Sequence, residues 1–334
     1  MNILNIIQKT GLALLIVVGL FSCESGGKYY KYSGEIQGTY FSVIYEAEKD
    51  LAPQIDSLLD KFNQSLNNYD DSSLISRLNR NETQNTDSIF RTMFRAAREV
   101  WEQSGHRFDI TIAPLANAWG FGYESGHFPD SAQVDSILQF VGMNKIHLDN
   151  GLLVKDDPRV TLIGNAIAQG MSVDYLAWYL DKQQLDNYLV EIGGEVRAKG
   201  ESQKGKPWLV GIDKPIIDSM VNKRELQTAI ELDNLAVATS GNYRKFREHD
   251  GKRYGHSLNP KNGYPEKNNV LSATVVQPQC MYADAWATAF MMMDLDEALQ
   301  VAEQKEHMEV MLITQNADDD FDVHFSSGFR KFIP

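Results

Sequence analysis

The chain has 334 residues, which is long enough for one large domain or two closely joined lobes. Its content of 43% hydrophobic and 23% charged residues is ordinary for a globular protein. The formal net charge of −13 argues against a nucleic-acid partner, which favours a basic surface. An anionic ligand remains compatible with this charge, because a metal ion and backbone N–H groups can create a local positive field.

The first residues indicate export. An apolar run over residues 11–21 follows a lysine and is too short to span a bilayer comfortably, so it fits the core of a signal peptide. The run ends in the letters LFSC at residues 20–23, and this order of leucine, small residue and cysteine resembles a bacterial lipobox. We therefore expect Cys23 to carry the lipid, including palmitate. A buried cysteine and an ordinary secretory signal are the alternatives.

This interpretation divides the chain into a lipoprotein signal peptide over residues 1–22, a lipidated tether over residues 23–33 and one folded domain over residues 34–334. It places the protein on a membrane of the cell envelope, facing the periplasm. Cys280 is the only cysteine besides Cys23, so an exported chain would have no internal disulfide. Its stability must then come from the core.

Hydrophobic periodicity predicts the elements of the first half. Alternation around Gly38 predicts a pair of strands within residues 30–46. Apolar residues at helical spacing predict helices over residues 50–67, 73–79, 87–103 and 131–141.

Two segments in the middle of the chain are compatible with ligand binding. Residues 108–122, FDITIAPLANAWGFG, form an aromatic patch that either packs under a loop or forms a slot for a flat ring. Residues 160–180 predict a strand leading into a long helix, and Gly164 and Asn165 at its start suit an anion site. Neither GxGxxG nor GK[ST] is present there, so we predict neither a Rossmann fold nor a Walker A loop.

The second half is richer in predicted strands. Residues 188–200 predict two strands joined by a turn at Gly193 and Gly194. Ser240 lies at a strand end without the G-x-S-x-G pattern, which argues against a serine hydrolase. Helices and strands without strict alternation, and short turns, predict an α+β fold with antiparallel pairing. The further strands are predicted over residues 208–213, 225–237, 270–276, 308–315 and 322–332.

Asp284 and Thr288 are a candidate metal pair. They are four residues apart in a predicted helix, so their oxygens project from one face. A carboxylate and a hydroxyl suit Mg²⁺, which prefers oxygen ligands. An isolated D-x-x-x-T is more typical of an ordinary capped helix, and only the rest of the chain favours the metal.

His256 is a candidate general base. It precedes a turn set up by Asn259, Pro260 and Gly263. An imidazole titrates near neutrality, so it could accept a proton from a hydroxyl. The alternative is a structural histidine that closes the turn.

Eight motifs in a fixed order make the sequence resemble the FAD:protein FMN transferases of the ApbE family. Each motif alone is weak, but their common order is specific, and the resemblance covers nearly all of the chain from Gln37 onward. The motifs are GTY at 38–40, Y-x-x-x-S-x-x-S-x-x-N from Tyr69, FDIT-x-x-PL-x-x-x-WGFG from Phe108, A-I-A-x-G from Ala166, the GG hairpin, ATSGNYR from Ala238, H-x-x-x-P-x-x-G-x-P from His256, and ADAWATA from Ala283.

The resemblance implies an α+β, T-fold-like architecture, with mixed antiparallel sheets and helices in two lobes around a central cleft for FAD and Mg²⁺. It also implies a reaction: FMN moves from FAD to a Thr or Ser hydroxyl of an exported or membrane flavoprotein, a phosphoester forms and AMP is released. By the same resemblance, the acceptor would be a subunit of a Na⁺-translocating NADH:quinone reductase or a related redox pump.

The resemblance also implies roles for individual residues. The metal would be held by the carbonyl of Ala166 and the side chains of Asp284 and Thr288, and His256 would be catalytic. FAD would contact Gln37, Tyr69, Arg107, Phe108, Asp109, Gln169 and Leu258.

Three positions depart from the family pattern. Ile163, Gly164 and Asn165 stand where Asp-Leu-Gly is usual, Gln169 replaces the commoner Lys, and Gln37 stands where Met is frequent. Losing a carboxylate and a cation together preserves the local charge balance, and Asn165 could supply the lost polar contact.

Two other functions use the same site and stay open at this point. A Mg²⁺-dependent FAD pyrophosphatase would use water in place of the acceptor hydroxyl and give FMN and AMP. Tyr69 lies in the loop that we expect to decide between transfer and hydrolysis. A non-enzymatic lipoprotein would only bind FAD.

Overall fold

An eight-stranded antiparallel sheet organises the fold. The computed structural model describes residues 27–124, 126, 128–215, 225–242, 246–249, 252–316 and 320–334. The strands in this part of the chain are β1 (Lys28–Ile36), β2 (Thr39–Ala47), β3 (Ile146–Asp149), β4 (Leu152–Lys155), β5 (Tyr188–Ile192), β6 (Glu195–Lys199), β7 (Trp208–Asp213), β8 (Leu226–Leu232), β9 (Leu235–Gly241), β10 (Phe246–His249), β11 (Lys252–Gly255), β12 (Val270–Gln277), β13 (Glu309–Gln315) and β14 (Phe321–Phe325).

The helices pack around this sheet and at its ends. Several begin with a side-chain cap from Ser or Asp, as at Ser73, Asp87, Asp130 and Asp294. The helices are α1 (Ala52–Leu66), α2 (Leu74–Asn79), α3 (Ser88–Gln103), α4 (Ala113–Trp119), α5 (Ser131–Leu138), α6 (Ala168–Lys182), α7 (Cys280–Phe290) and α8 (Leu295–Glu303). None of the helices in the described ranges is long and apolar enough to cross a bilayer.

The strand order of the sheet is β1-β2-β5-β6-β9-β12-β13-β14, and every neighbouring pair is antiparallel. Three separate hairpins, β3–β4, β7–β8 and β10–β11, lie outside it. This arrangement brings the end of β9 to the middle of the sheet, between β6 and β12.

One face of the sheet is covered by α6 and α7. The central strands present small side chains on this face, including Ala236, Ala238 and Ala273, which are fully or almost fully buried. Because these side chains are short, α7 lies close to the sheet, and nearly all of its own residues are buried. The two helices also contact each other closely at Gly170, where an added Cβ would lie 2.7 Å from the Cβ of Asp284.

The opposite face is covered by the β7–β8 hairpin and a 3₁₀ turn over Phe329–Phe332. Val237 of β9 and Val276 of β12 pack there against Trp208 and Phe329. Successive residues of β9 therefore contact different layers, as expected from the two-residue repeat of a strand.

The predicted α+β class with antiparallel pairing is confirmed, and most predicted elements exist with bounds shifted by a few residues. Residues 225–237 form parts of two strands, β8 and β9, and the predicted strand over residues 322–332 ends at Phe325. β1 begins at Lys28, so residues 28–33 of the expected tether belong to the sheet. Helices α4 and α8 and the β3–β4 and β10–β11 hairpins have no counterpart among the predicted elements.

The strand predicted at the start of residues 160–180 is wrong. Residues 160–164 adopt no regular structure. Instead of pairing with a neighbouring strand, Leu162 exchanges hydrogen bonds of 2.8 Å with the side chain of Asn79 through both its N–H and its carbonyl, and the N–H of Ile163 bonds the carbonyl of Ile110. The apolar character of the segment reflects its burial.

Replacing Gly170 with alanine tests the helix contact. At an exposed helical position this change would stabilise the fold by about 1 kcal/mol. Here the Cβ has no room, so we expect a loss of roughly 1–3 kcal/mol, measured by urea denaturation. Gly164→Ala is the matched control, because its Cβ would make ordinary contacts of 3.5 Å. A Gly170→Ala protein as stable as wild type would contradict the close contact.

Candidate functional site

The contact between α6 and α7 holds a buried carboxylate. Asp284 is 6% exposed, and its Oδ2 accepts a hydrogen bond of 2.9 Å from the N–H of Gly170. Burial raises the pKa of Asp284 to about 7, while the bond from Gly170 acts in the opposite direction. In the described ranges, no Lys or Arg forms an ion pair with this carboxylate. A buried carboxylate without a cationic partner fits a site for a bound cation.

The carbonyl of Ala166 also lies at the start of α6. Gly170 is the third residue of this helix, so its N–H is one of the first helical N–H groups, which have no partner within the helix. Asp284 accepts from this N–H, and no donor among the described residues bonds the carbonyl of Ala166, which precedes the helix. Ala166 lies in the turn before α6 and is partly exposed, so its carbonyl oxygen is available to a ligand.

Thr288 follows Asp284 by one turn of α7. Its Oγ1 lies 3.1 Å from the hydroxyl of Ser240, which lies on β9 after Ala236 and Ala238 on the face towards α7. The potential ligands are therefore a carboxylate, two hydroxyls and a carbonyl. An all-oxygen set favours a hard cation such as Mg²⁺. No cluster of three His, Cys, Asp or Glu side chains that could hold a metal occurs where the structure describes the chain.

The segment of His256 meets the end of β9. Ser257 donates a hydrogen bond to the side chain of Asn242, which lies two residues after Ser240. Two residues of a strand span roughly 7 Å, so the neighbour of His256 is bound close to the hydroxyl that contacts Thr288. His256 itself is partly exposed.

The turn between β5 and β6 lies beside Gln169 and beside the start of β2, which follows Gln37. Gln37 has a φ of 54° and forms the turn between β1 and β2. The carbonyl of Tyr40, the second residue of β2, accepts a hydrogen bond of 3.0 Å from the N–H of Gly193. A Cβ on Gly193 would lie 2.6 Å from Nε2 of Gln169, so only glycine allows Gln169 to pack here. Gly193 is thus part of the site.

Tyr69 and Asn165 contact each other just before α6. The amide of Asn165 donates a hydrogen bond of 3.0 Å to the hydroxyl of Tyr69. Tyr69 is 65% exposed, which leaves its ring free to stack on a flat ligand. Asn165 directly precedes Ala166, so the exposed aromatic ring lies beside the proposed metal ligand.

Comparisons with known proteins identify the family and the fold. Residues 37–312 match the ApbE family. The chain belongs to the ApbE family. It is 34% identical to a FAD:protein FMN transferase of Vibrio cholerae, over 96% of this chain and 98% of the relative. A Haemophilus influenzae protein of the same name is also 34% identical, over 96% of each chain.

Solved structures of ApbE proteins share the fold. The flavin transferase ApbE from Vibrio cholerae aligns with a TM-score of 0.82 and 33% identity, over 92% of this chain and 99% of that one. The flavinyl transferase ApbE of Pseudomonas stutzeri, in its apo form, also aligns with a TM-score of 0.82, at 26% identity over 92% and 98% of the two chains. The family and fold predicted from the motifs are confirmed.

In this ApbE-family chain, the side chains of residues 107–109 serve the scaffold. Arg107 pairs with Glu297 at 2.6 Å, and Phe108 is buried in the core. Asp109 is almost fully buried, which raises the pKa of its carboxyl group. Its oxygens accept from the N–H and hydroxyl of Thr111 at 2.8 and 2.6 Å, and from the N–H of Met143 at 3.0 Å.

The backbone of this segment connects to the site. The carbonyl of Ile110 accepts a hydrogen bond of 2.8 Å from the N–H of Ile163, three residues before Ala166. Any FAD contact from residues 107–109 is therefore expected from the main chain, because the three side chains already have partners in the protein.

Leu258 and the aromatic patch support the turn after His256. The side chain of Leu258 is buried beside α4 and α5. Trp119 donates a hydrogen bond of 2.8 Å from its indole nitrogen to the carbonyl of Gly263, and its ring packs against Tyr254. Of the two interpretations of the WGFG segment, the structure therefore favours packing under a loop.

The motif that starts at Tyr69 also has a structural role. Ser73 caps α2, and the side chain of Asn79 forms hydrogen bonds with the backbone N–H and carbonyl of Leu162. Asn68, which the sequence did not single out, adds hydrogen bonds of 2.8 Å to the Leu162 carbonyl and 3.0 Å from the Gly164 N–H. Together the two asparagines fix the segment that leads to Ala166.

The structure thus places Asp284 and Thr288 one turn apart on α7, bonds Asp284 to Gly170 at the start of α6, and places Tyr69 beside Asn165, the residue before Ala166. Ser240, Gly193 and Asn68 were missed as site residues, because their contacts join distant parts of the chain. Cys23 and the last two residues of the ATSGNYR motif, 243 and 244, lie outside the described residues.

Asp284→Asn in metal-free protein tests the buried carboxylate. Because the folded-state pKa is raised, the protonated carboxyl contributes stability that is present at acid pH and lost as the pH rises through about 7. We expect wild type to lose roughly 3 kcal/mol more stability than the variant between about pH 5 and about pH 8. Urea denaturation with a chelator present measures this. Identical pH profiles would contradict an uncompensated carboxylate.

Proposed function

We propose that this chain is a Mg²⁺-dependent FAD:protein FMN transferase. The observation that carries the proposal is the buried Asp284, which has no cationic partner among the described residues, lies one turn from Thr288 and accepts a hydrogen bond from the N–H of Gly170 at the start of α6. The names of the relatives, all FAD:protein FMN transferases, support the same reaction.

The proposed reaction breaks the phosphoanhydride bond between the two phosphates of FAD and forms a phosphoester bond to the acceptor. The acceptor hydroxyl oxygen forms a bond to the phosphorus of the FMN half of FAD. The bond from that phosphorus to the oxygen bridging the two phosphates breaks, and AMP leaves with the electron pair. The hydroxyl proton goes to a base on the protein, so the products are an FMN phosphoester and AMP. No oxidant or reductant is needed.

The oxygen atoms directly before α6 and on α7 would hold the cation. A bound Mg²⁺ would supply positive charge to the diphosphate oxygens and assist the departure of AMP. Asp284 and Thr288 would provide side-chain oxygens from one face of a helix, and Ala166 its carbonyl. Ser240 would orient the hydroxyl of Thr288 through the contact of 3.1 Å.

His256 would be the base. The bond between Ser257 and Asn242 holds its segment against the end of β9, close to Ser240. The turn that follows is braced by Trp119, so the histidine lies on a supported loop. A positioned base of this kind typically contributes a factor of about 10²–10⁴ in rate.

FAD would lie between Tyr69 and the turns at Gln37 and Gly193. Tyr69 has the exposed ring needed for stacking. Gln37, Gln169 and Asn165 would bind FAD through neutral polar groups. The aspartate and the lysine that the family usually has in residues 163–169 are both absent from this chain. Residues 107–109 and Leu258 would contribute main-chain contacts.

The acceptor would be an exported or membrane flavoprotein with a reactive Thr or Ser, such as a subunit of a Na⁺-translocating NADH:quinone reductase or a related redox pump. An enzyme anchored in the envelope by a lipid on Cys23, facing the periplasm, would meet such acceptors. The apolar run before Cys23 supports this location.

His256→Ala tests the transfer mechanism. Full-length protein in detergent is incubated with FAD, Mg²⁺ and an acceptor domain, and covalent flavin is read as fluorescence on a denaturing gel. We expect the variant to transfer about 10²–10⁴ times more slowly while still binding FAD. His147→Ala is the matched control, because His147 is exposed on β3.

The same assay separates the competing functions. Covalent flavin that depends on Mg²⁺ and on the acceptor hydroxyl supports the transferase. Steady release of FMN and AMP without covalent flavin would support a pyrophosphatase, and intact bound FAD would support a carrier. Wild-type transfer by His256→Ala would contradict its role as base.

Cys23→Ser tests the anchor. Without a thiol the lipid cannot be attached, so we expect the variant to lose incorporation of labelled palmitate and to leave the membrane fraction. Cys280→Ser is the control, because Cys280 is buried in α7. Unchanged palmitate labelling of Cys23→Ser would contradict the lipoprotein proposal.

A further inference from the structure

A second buried carboxylate lies one turn from the proposed metal site. Asp174 is on α6, four residues after Gly170, and its side chain is completely buried. Its Oδ1 lies 2.8 Å from a guanidinium nitrogen of Arg197 on β6, and its Oδ2 accepts a hydrogen bond of 2.9 Å from the N–H of Met281. Both oxygens therefore have partners, and the two partners belong to different elements.

Asp174 caps α7 from another helix. Met281 is the second residue of α7, and the residue at the N-cap position, Gln279, makes no side-chain capping bond. The first N–H groups of a helix have no partner within it, and negative charge is favourable at that end. A carboxylate from α6 therefore provides what the sequence of α7 lacks.

The two helices exchange hydrogen bonds in both directions. Asp174 of α6 accepts from α7, and Gly170 of α6 donates to Asp284 of α7. The two bonds lie one turn apart on each helix, which fixes both the rotation and the translation of α7 against α6. The absence of a side chain at Gly170 allows this close contact.

Arg197 connects this helix pair to the sheet. It lies on β6 with its side chain 10% exposed, and besides Asp174 it approaches Asp181 at 3.8 Å. A buried ion pair gives little net stability, because desolvation offsets the attraction between the charges. Fixing the geometry of the three elements is the more consistent role for this pair.

We propose that Asp174 and Arg197 are a positioning pair for the divalent cation site, which set the register of α7 and so the positions of Asp284 and Thr288. The inference rests on the proposed function, in which Asp284 holds the cation. Asp284 and Thr288 follow the capped Met281 by three and seven residues, so a slide of α7 would displace both oxygens. Partners that orient metal ligands typically change metal affinity about 10–100-fold when removed.

The test measures binding of Mn²⁺ to full-length protein by electron paramagnetic resonance, which reports free Mn²⁺ without any turnover. We expect Asp174→Asn to weaken Mn²⁺ binding about 10–100-fold. Asp181→Asn is the matched control: it removes a carboxylate from the same helix, near the same arginine, that does not bond α7. We expect this control to bind Mn²⁺ as wild type does.

A double variant covers the case in which Asp174→Asn fails to fold, because it leaves a buried guanidinium without its partner. Asp174→Asn with Arg197→Met removes both charges and keeps an amide oxygen for Met281. We expect this protein to fold, as judged by circular dichroism, and to bind Mn²⁺ more weakly than wild type, because α7 has lost its link to β6.

The outcomes separate this inference from the proposed function. Wild-type Mn²⁺ affinity in a folded Asp174 variant, with binding lost in Asp284→Asn, would overturn the positioning role and leave the proposed function intact. Mn²⁺ binding that does not depend on Asp284 would overturn both.

Discussion

The close contact of α6 with α7 at Gly170 is the constraint on which the rest of the site depends. A glycine at the crossing lets its N–H, one of the first of α6, bond Asp284, and the carbonyl of Ala166 directly before the helix has no donor among the described residues. The start of α6 thus carries one oxygen of the proposed site and bonds another. The energetic cost is a buried carboxylate, which a cation would compensate.

The sheet supplies the other groups of the proposed site, because its central strand β9 ends beneath the contact between α6 and α7. Ser240 lies on the helix-facing side of β9 and contacts Thr288, and Asn242 receives the segment of His256. On the other side of Ala166, Asn68 and Asn79 replace strand pairing for residues 162–164. The proposed catalytic groups therefore depend on long-range polar contacts that fix irregular backbone.

The spacing of Asp284 and Thr288 correctly predicted that they lie one turn apart on a helix, because that signal is local, while their assignment to a metal came from the resemblance of the whole chain. The sequence predicted the α+β class and most strands for the same reason, since alternation and turn residues are local signals. It did not predict Ser240, Asn68 or the cap from Asp174, whose partners are dozens of residues away. The strand predicted at residues 160–164 is wrong because its partners are not local. Its apolar residues correctly indicated burial, but the backbone of Leu162 and Gly164 bonds the side chains of Asn68 and Asn79 and not a neighbouring strand.

Anomalous scattering from a crystal grown with FAD and Mn²⁺ tests the central claim most directly, because it locates the cation without reference to activity. The account predicts a peak bounded by the Ala166 carbonyl and the side chains of Asp284 and Thr288, next to the diphosphate of FAD. A peak elsewhere, or a lysine or arginine occupying that position beside Asp284, would contradict it.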